Sequence, residues 1–189
     1  MNGVTRYNKQ PLYDTAGRVS KLSTIAAALG IRDPYTREHN RRVAIYARRL
    51  AERIGLSAET VENIQLGGLL HDIGKMGIPE KILLKADPHD PSESKINQTH
   101  PRLGKMVFEE VDYLSDALEV VMHHHERYDG QGYPDQLQGE EIPYQAQLFA
   151  IVDCWDVLRT NRLCRSSWSE TILIGSSDCD KRITLPNVF

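Results

Sequence analysis

The chain has 189 residues, of which 40% are hydrophobic and 26% are charged, and its formal net charge is −3. This length is sufficient for one globular domain with a real hydrophobic core. The weak negative charge disfavours broad electrostatic binding to polymeric nucleic acid, but it allows a local basic pocket for a small phosphate ligand. The three cysteines fit neither a disulfide framework nor a CxxC zinc site, which predicts a reducing, cytoplasmic compartment. Neither a signal peptide nor a membrane-spanning segment is predicted.

The first part of the chain predicts a linker followed by three helices. Residues 1–18 are polar and are expected to be a linker or the end of an upstream module. A short apolar helix is predicted over 19–29, closed by Gly30. A second helix is predicted over 33–55, because its apolar residues recur at helical spacing while arginines and glutamates cover the other face. The third is predicted over 56–75, with Ser57 as its cap.

The second part of the chain is also predicted to be helical. Residues 86–97 are polar and contain two prolines, so we expect a loop there. A helix is expected to begin near His100, because Pro101 suits the first helical turn. Two more are predicted over 114–125 and 145–160, separated by a turn-rich loop. Strand signals are nearly absent, so the predicted fold class is all-α.

Several histidines and aspartates occur where the pattern predicts burial. His39 lies four residues before Val43, on the apolar stripe of its helix, and His71 and Asp72 follow the apolar Gly-Gly-Leu-Leu segment. Asp153 occurs within another apolar segment, where an unpaired carboxylate costs several kcal/mol. A cluster of divalent cations is the simplest common partner for such side chains. His89, in the predicted loop, is instead expected to be solvated.

Three segments resemble the HD-GYP domain, a subgroup of the HD metallophosphohydrolases. They are HDIGK at 71–75, HHERYDGQGYP at 124–134 and IVDCWDVL at 151–158. Segments at 32–44, 78–85 and 99–104 extend the match in the family's order. The resemblance implies an HD-GYP domain over 19–170, with an atypical or truncated segment at 171–189. It also implies a helical bundle that holds a dinuclear metal site between its helices.

The resemblance implies which residues bind the metals. His39, His71, Asp72 and Asp153 match the ligands of a first ion, and Asp72 would bridge to a second. Some members bind a third ion through a glutamate at the place of Tyr35, so two ions are expected here. Iron or manganese suits these ligands best, and zinc remains open. The implied ligands of the second ion are His100, His124 and His125, with His123 facing away.

The resemblance also implies the substrate and the groups that contact it. Family members are bacterial cyclic di-GMP phosphodiesterases, in which two ions activate water for attack on phosphorus and yield pGpG or GMP. Asp72 and Lys75 would be catalytic, and Lys75 would lie on the same helical face as His71 if that helix continues. The implied substrate contacts are Asp33, Lys75, Tyr133, Arg162 and Arg165. Diguanylate cyclase (GGDEF) domains are implied partners of the Gly-Tyr-Pro loop, and a homodimer is possible.

Three alternatives follow for the function. The first is an active cyclic di-GMP phosphodiesterase. The second is a metal-holding but catalytically weak module that responds to nucleotides, which the altered segments at 162–165 and 171–189 favour. The third is another HD-fold di-iron enzyme, such as an oxygenase, or a hydrolase of a different cyclic dinucleotide. The complete ligand set and HDIGK favour the first over the second, and the Gly-Tyr-Pro segment favours it over the third.

Overall fold

A computed structural model describes residues 15–160 of the protein, and within this range every regular element is helical. The all-α prediction is confirmed. No helix in the described range is long and apolar enough to cross a membrane. The α-helices are α1 (Thr15–Arg32), α2 (Pro34–Arg53), α3 (Ala58–Leu70), α4 (Glu80–Leu83), α5 (Pro91–Asn97), α6 (His100–Phe108), α7 (Ser115–His123) and α8 (Tyr144–Arg159). Short 3₁₀ helices cover Ile73–Gly77, Asp112–Leu114 and Gly139–Glu141.

Helix α3 lies at the centre of the bundle, because two hydrophobic clusters meet on it. Leu66, Leu69 and Leu70 belong to a cluster that also contains apolar residues of α1, α6 and α7. Val61 and Ile64 belong to a second cluster shared with α2, α7 and α8. Burial of apolar surface on both sides fixes α3 in the bundle. Helix α3 therefore packs against α1, α2, α7 and α8.

The first helix differs from its predicted bounds at both ends. It begins at Thr15, so residues 15–18 of the predicted linker are helical, and it continues past Gly30 to Arg32. The helix stops there because Asp33 precedes Pro34, and a residue before proline disfavours helical backbone. The Asp33 carboxylate then caps α2 by accepting a hydrogen bond from the Thr36 N–H.

The predicted loop over 86–97 is wrong for its second half, which forms α5. Pro91 occupies the first turn of this helix, and Asp90 is its N-cap. The Asp90 side chain accepts from the Ser92 and Glu93 N–H groups, while Glu93 accepts from the Asp90 N–H. This reciprocal capping box outweighs the turn-forming character of the prolines.

The third helix ends at Leu70, five residues before its predicted end, and a 3₁₀ turn over Ile73–Gly77 follows. The turn packs closely against the beginning of α6. A side chain at Gly74 would collide with the His100 carbonyl oxygen, so only glycine permits this approach. His71 and Asp72 therefore lie at the junction of α3 and the turn, facing the space between helices.

Candidate metal centre

All seven side chains predicted as metal ligands face one another at the centre of the bundle. They form three overlapping groups in which one ligand atom from each residue lies within 4.8 Å of the others. Most of them line a cavity of about 310 Å³. These groups are able to bind divalent metal. They are His39, His71 and Asp153; His71, Asp72 and His124; and His100, His124 and His125.

Backbone carbonyls orient three of the imidazole rings in the same way. His71 Nδ1 donates to the Gly68 carbonyl at 2.8 Å, and His100 Nδ1 donates to the Asn97 carbonyl at 2.7 Å. His124 Nδ1 donates to the Val121 carbonyl at 2.9 Å. A carbonyl oxygen only accepts hydrogen bonds, so each Nδ1 carries the proton and each Nε2 presents a lone pair. This arrangement is the one that metal-binding histidines use.

The distance between two Nε2 atoms tests whether a metal ion fits between them. His100 Nε2 and His124 Nε2 lie 3.4 Å apart. With both Nδ1 atoms protonated, neither Nε2 has a hydrogen to donate, so the two lone pairs repel each other. Two nitrogens each about 2.1 Å from one ion lie roughly 3–3.5 Å apart at octahedral or tetrahedral angles. The donor set therefore fits a divalent ion.

Asp72 lies between the two halves of the centre. Its Oδ2 is 3.4 Å from His71 Nε2, and its Oδ1 is 3.4 Å from His100 Nε2. Each oxygen therefore faces a different ligand group, as a bridging carboxylate requires. Lys75 Nζ also donates to Asp72 Oδ2, at 2.8 Å. Burial raises the pKa of Asp72, but the opposing charge of Lys75 helps to hold that pKa well below its usual range.

The protonation of the imidazoles differs across the centre. Burial lowers the pKa of His100 to about 4 and lowers that of His124 well below its ordinary value. Both rings are therefore neutral at pH 7. Burial also lowers the pKa of His39, but the carboxylates of Asp153 and Asp156 outweigh it and raise that pKa to about 9. A metal ion binding His39 must therefore displace a proton.

Asp156 contacts the candidate metal centre, and the sequence analysis missed it. Its Oδ2 lies 2.7 Å from His39 Nδ1, and Arg42 donates to both of its oxygens at 2.9 and 2.8 Å. Burial raises the pKa of Asp156, but Arg42 and His39 lower it to about 2. The carboxylate fixes the His39 ring so that Nε2 faces Asp153, at 3.0 Å. The signal was present in IVDCWDVL, where Asp156 lies three residues after Asp153 on the same helical face.

The predicted substrate contacts have different outcomes. Lys75 and Tyr133 line the cavity, and the Tyr133 ring stacks on His125 at 4.6 Å. Lys75 does so from the 3₁₀ turn, because α3 does not continue to it. Asp33 caps α2 and is not among the described residues that line the cavity, so its contact with substrate stays a prediction. Arg162 and Arg165 lie outside the described residues.

The two remaining histidines lie outside the centre. His89 is half-buried and its Nε2 lies 2.8 Å from the Ile82 carbonyl, so the expectation of a solvated ring is wrong. His123 faces away from the centre, towards Glu119 and Asp135. One ligand atom from each of His123, Glu126 and Asp135 also lies within 4.8 Å of the others, so this group resembles a metal site. However, Glu126 accepts backbone hydrogen bonds and Asp135 accepts from Arg102, so these carboxylates are already engaged.

The position of Tyr35 bears on the third ion. The Tyr35 ring stacks on His39, with centroids 6.0 Å apart, and its hydroxyl lies 2.9 Å from the Thr160 hydroxyl. A tyrosine in this position offers no carboxylate ligand to a further ion. The number of ions stays a prediction, with two expected.

Comparison with known proteins agrees with this geometry. The family model for the HD domain matches residues 23–172. The chain belongs to the HD domain family. The cyclic di-GMP phosphodiesterase response regulator RpfG of Xanthomonas campestris pv. campestris (strain 8004) is 37% identical over 150 residues, which cover 78% of this chain and 40% of that protein. The resemblance to HD-GYP proteins is thereby confirmed.

A second curated relative is named for a different substrate, and one solved structure has a similar fold. The 3′3′-cGAMP-specific phosphodiesterase 2 of Vibrio cholerae serotype O1 is 36% identical over 148 residues, or 77% of this chain and 28% of that protein. Bd1817, an HDG"Y"P protein from Bdellovibrio bacteriovorus, superposes with a TM-score of 0.57 at 19% identity, over 76% of this chain and 50% of that one. This superposition supports the fold alone. The chain spans less than half the length of these curated relatives.

Proposed function

We propose that this protein is a metal-dependent phosphodiesterase that hydrolyses cyclic di-GMP to pGpG or GMP. The observation that carries the proposal is the pair of ligand groups joined by Asp72, whose two oxygens face His71 and His100. We further propose that the centre holds two ions, of iron or manganese. When bound, such a pair of ions activates water and withdraws charge from a phosphodiester.

The chain's own residues have distinct parts in this reaction. Asp72 places one carboxylate oxygen in each ligand group and would help to hold both ions. Lys75 places a cation on the cavity wall beside Asp72, where it neutralises charge on the phosphate and assists the departing 3′ oxygen. Tyr133 presents a ring at the same cavity, and a ring of this kind suits contact with a nucleotide base or ribose.

The substrate class has support from the relatives, and so does a second candidate. RpfG carries the name of a cyclic di-GMP phosphodiesterase, whereas a relative of nearly equal identity is named for 3′3′-cGAMP. Both substrates are cyclic dinucleotides with two phosphodiester bonds, so they make the same demand on the metal centre. Hydrolysis of 3′3′-cGAMP is therefore the second candidate function.

One experiment separates these functions. The full chain, loaded anaerobically with Fe²⁺ or Mn²⁺, is incubated with each cyclic dinucleotide, and the products are separated by chromatography. We expect pGpG or GMP from cyclic di-GMP and none from an Asp72→Ala control. Faster cleavage of 3′3′-cGAMP would favour the second candidate. Binding of either nucleotide without cleavage by metal-loaded protein would favour a catalytically weak, nucleotide-responsive module.

We also propose a cytoplasmic location and contact with diguanylate cyclase (GGDEF) domains through the loop that carries Tyr133 and Pro134. The HD-GYP resemblance supports the partner. The loop also exposes Asp129 and Gln131 at the surface. Co-purification of a GGDEF domain with the parent chain, and its loss when both exposed residues are replaced by alanine, would test this contact.

A further inference from the structure

Glu126 is a buried carboxylate that immediately follows the ligand pair His124 and His125. Only 3% of its surface is exposed. Its Oε1 accepts from the N–H groups of Asp135 at 2.6 Å and Gln136 at 3.1 Å, and its Oε2 accepts from Leu137 at 3.1 Å. Three successive peptide N–H groups therefore converge on one side chain.

The backbone of the loop is shaped for an anion at this point. Gln136 has a φ of 57°, in the left-handed region that residues with a side chain rarely adopt. A left-handed residue in such a turn directs successive N–H groups to one point and forms a concavity that binds anions. Glu126 supplies the anion from within the chain. The hydrogen bonds to its charge are stronger than those between neutral groups.

This contact determines where the loop lies relative to the metal centre. We define the GYP loop as residues 127–138. Gly132 packs so closely on the backbone of Glu126 that a side chain there would collide with it. The Tyr133 N–H donates to the His125 carbonyl at 3.3 Å, and its ring stacks on His125. The loop thus brings Tyr133 to the cavity wall, and Glu126 closes the loop behind it.

The other contacts of this part of the loop are weaker. Arg102 donates to the Asp135 carboxylate at 2.6 Å, but more than half of the Arg102 side chain is exposed, and exposed ion pairs contribute little. His123 Nδ1 is 3.7 Å from the other Asp135 oxygen, which is beyond hydrogen-bond distance. Glu126 is therefore the principal anchor of residues 135–137.

We propose that Glu126 is a positioning residue, which holds the GYP loop against the ligand pair and thereby sets the Tyr133 wall of the substrate cavity. The proposal rests on the proposed phosphodiesterase function. Glu126 touches neither substrate nor metal in this role. It acts through the backbone of residues 135–137.

The test compares Glu126→Gln with the parent chain by amide hydrogen exchange, metal analysis and kinetics with cyclic di-GMP. Glutamine has only one side-chain oxygen. Its NH₂ group therefore faces an N–H that donates to Glu126 in the parent chain, and that hydrogen bond is lost. With that oxygen at the Oε1 position, exchange at Leu137 should accelerate most, roughly tenfold to hundredfold. We expect KM to rise roughly tenfold, because the cavity wall is no longer pre-organised. The metal content should equal that of the parent.

Two further variants make the test specific. Glu141 accepts a single N–H, from Gln138 at 2.9 Å, and it is exposed. Glu141→Gln is thus a matched change of charge, and it should leave exchange at 135–137 and KM unchanged. Glu126→Asp keeps the charge on a shorter side chain and should restore part of the protection. If Glu126→Gln does not fold, the same three measurements are made on Glu126→Asp.

The outcomes separate this proposal from the proposed function. Parent-like exchange at 135–137 together with a parent-like KM in Glu126→Gln would overturn the positioning role. Loss of metal from this variant would also overturn it, because Glu126 would then support the ligands and not the loop. If the parent itself cleaves no cyclic dinucleotide, the proposed function fails, and amide exchange alone decides the role of Glu126.

Discussion

The Asp156→Asn substitution should weaken one of the two ions selectively. Asp156 holds the His39 ring through a 2.7 Å contact with Nδ1, and Arg42 occupies both of its oxygens. An asparagine oxygen can serve His39 or the Arg42 Nε–H, and its NH₂ group then opposes the other donor. The lost charge also makes His39 a weaker base. Removal of such a supporting partner costs 10- to 100-fold in metal affinity, or about 1.4–2.7 kcal/mol.

The assay is anaerobic titration of the metal-free chain with Mn²⁺ against a competing chelator, which resolves two binding steps. We expect the step that involves His39 to weaken 10- to 100-fold, and the step that involves His100 and His124 to change less than threefold. Arg42→Met should lower the metal affinity of the same step by a smaller factor, because Asp156 loses its Arg42 hydrogen bonds but keeps its contact with His39.

A matched control is Arg41→Met, on the same helix. Arg41 is exposed and pairs with Glu38 at 3.6 Å, so its loss should leave both binding steps unchanged. If Asp156→Asn folds like the parent and both affinities stay within threefold, Asp156 does not orient His39. If both steps weaken equally, the two ions do not have separate ligand groups and the assignment of ligands is wrong.

The remaining predictions concern the bridge, the histidine register, the substrate clamp and metal removal. Asp72→Ala should lose both ions together in elemental analysis, and loss of only one would show that Asp72 is not the bridge. His123→Ala should keep the parent's metal content and turnover, whereas His124→Ala should lose metal, and the reverse pattern would shift the register by one residue. Arg162→Ala should lower kcat/KM roughly 10- to 150-fold, because a charge-assisted contact with phosphate is lost. The metal content should not change, and Arg162→Lys should restore part of the activity. Cleavage at the parent's rate at low substrate concentration would refute this contact. Chelation should lower the Tm, because an ion at 100 times its Kd stabilises the fold by about 2.7 kcal/mol, and an unchanged Tm would count against metal bound within the bundle.

The sequence predicted the fold class and the inward-facing histidines and aspartates well, because both depend on local patterns. The apolar spacing around Val43 determines that His39 faces inward, whatever its neighbours are. The bounds of the helices depend instead on competing local contacts. In α5, the reciprocal bonds of Asp90 and Glu93 outweigh the prolines, and at Lys75 the packing of Gly74 on α6 ends the helical geometry. Contacts of this kind depend on where a second element lies.

The supporting residues were harder to predict, because they act through residues far away in the chain. Asp156 contacts His39, which lies 117 positions earlier. Its spacing from Asp153 indicates a shared helical face, but it does not show which side chain the carboxylate meets. Glu126 appears within HHERYDGQGYP as one more charged residue of a loop. Its burial becomes evident only when the loop folds back and presents its N–H groups. Spacing shows which residue types are available, and the tertiary fold decides which atoms they meet.

The three adjacent histidines illustrate the same division between local and tertiary effects. Within a helix, neighbouring side chains diverge by about 100°, so His124 and His125 could not share one ion there. Helix α7 ends at His123, and His124 is its C-cap, with helical backbone angles and an N–H that donates to the Val120 carbonyl. The chain therefore leaves the helix at His125. The rings of His124 and His125 then lie 4.1 Å apart, and both face His100. His123, still helical, faces Glu119 instead. The helix end thus separates one histidine from the pair, and Glu126 holds the chain that follows in place.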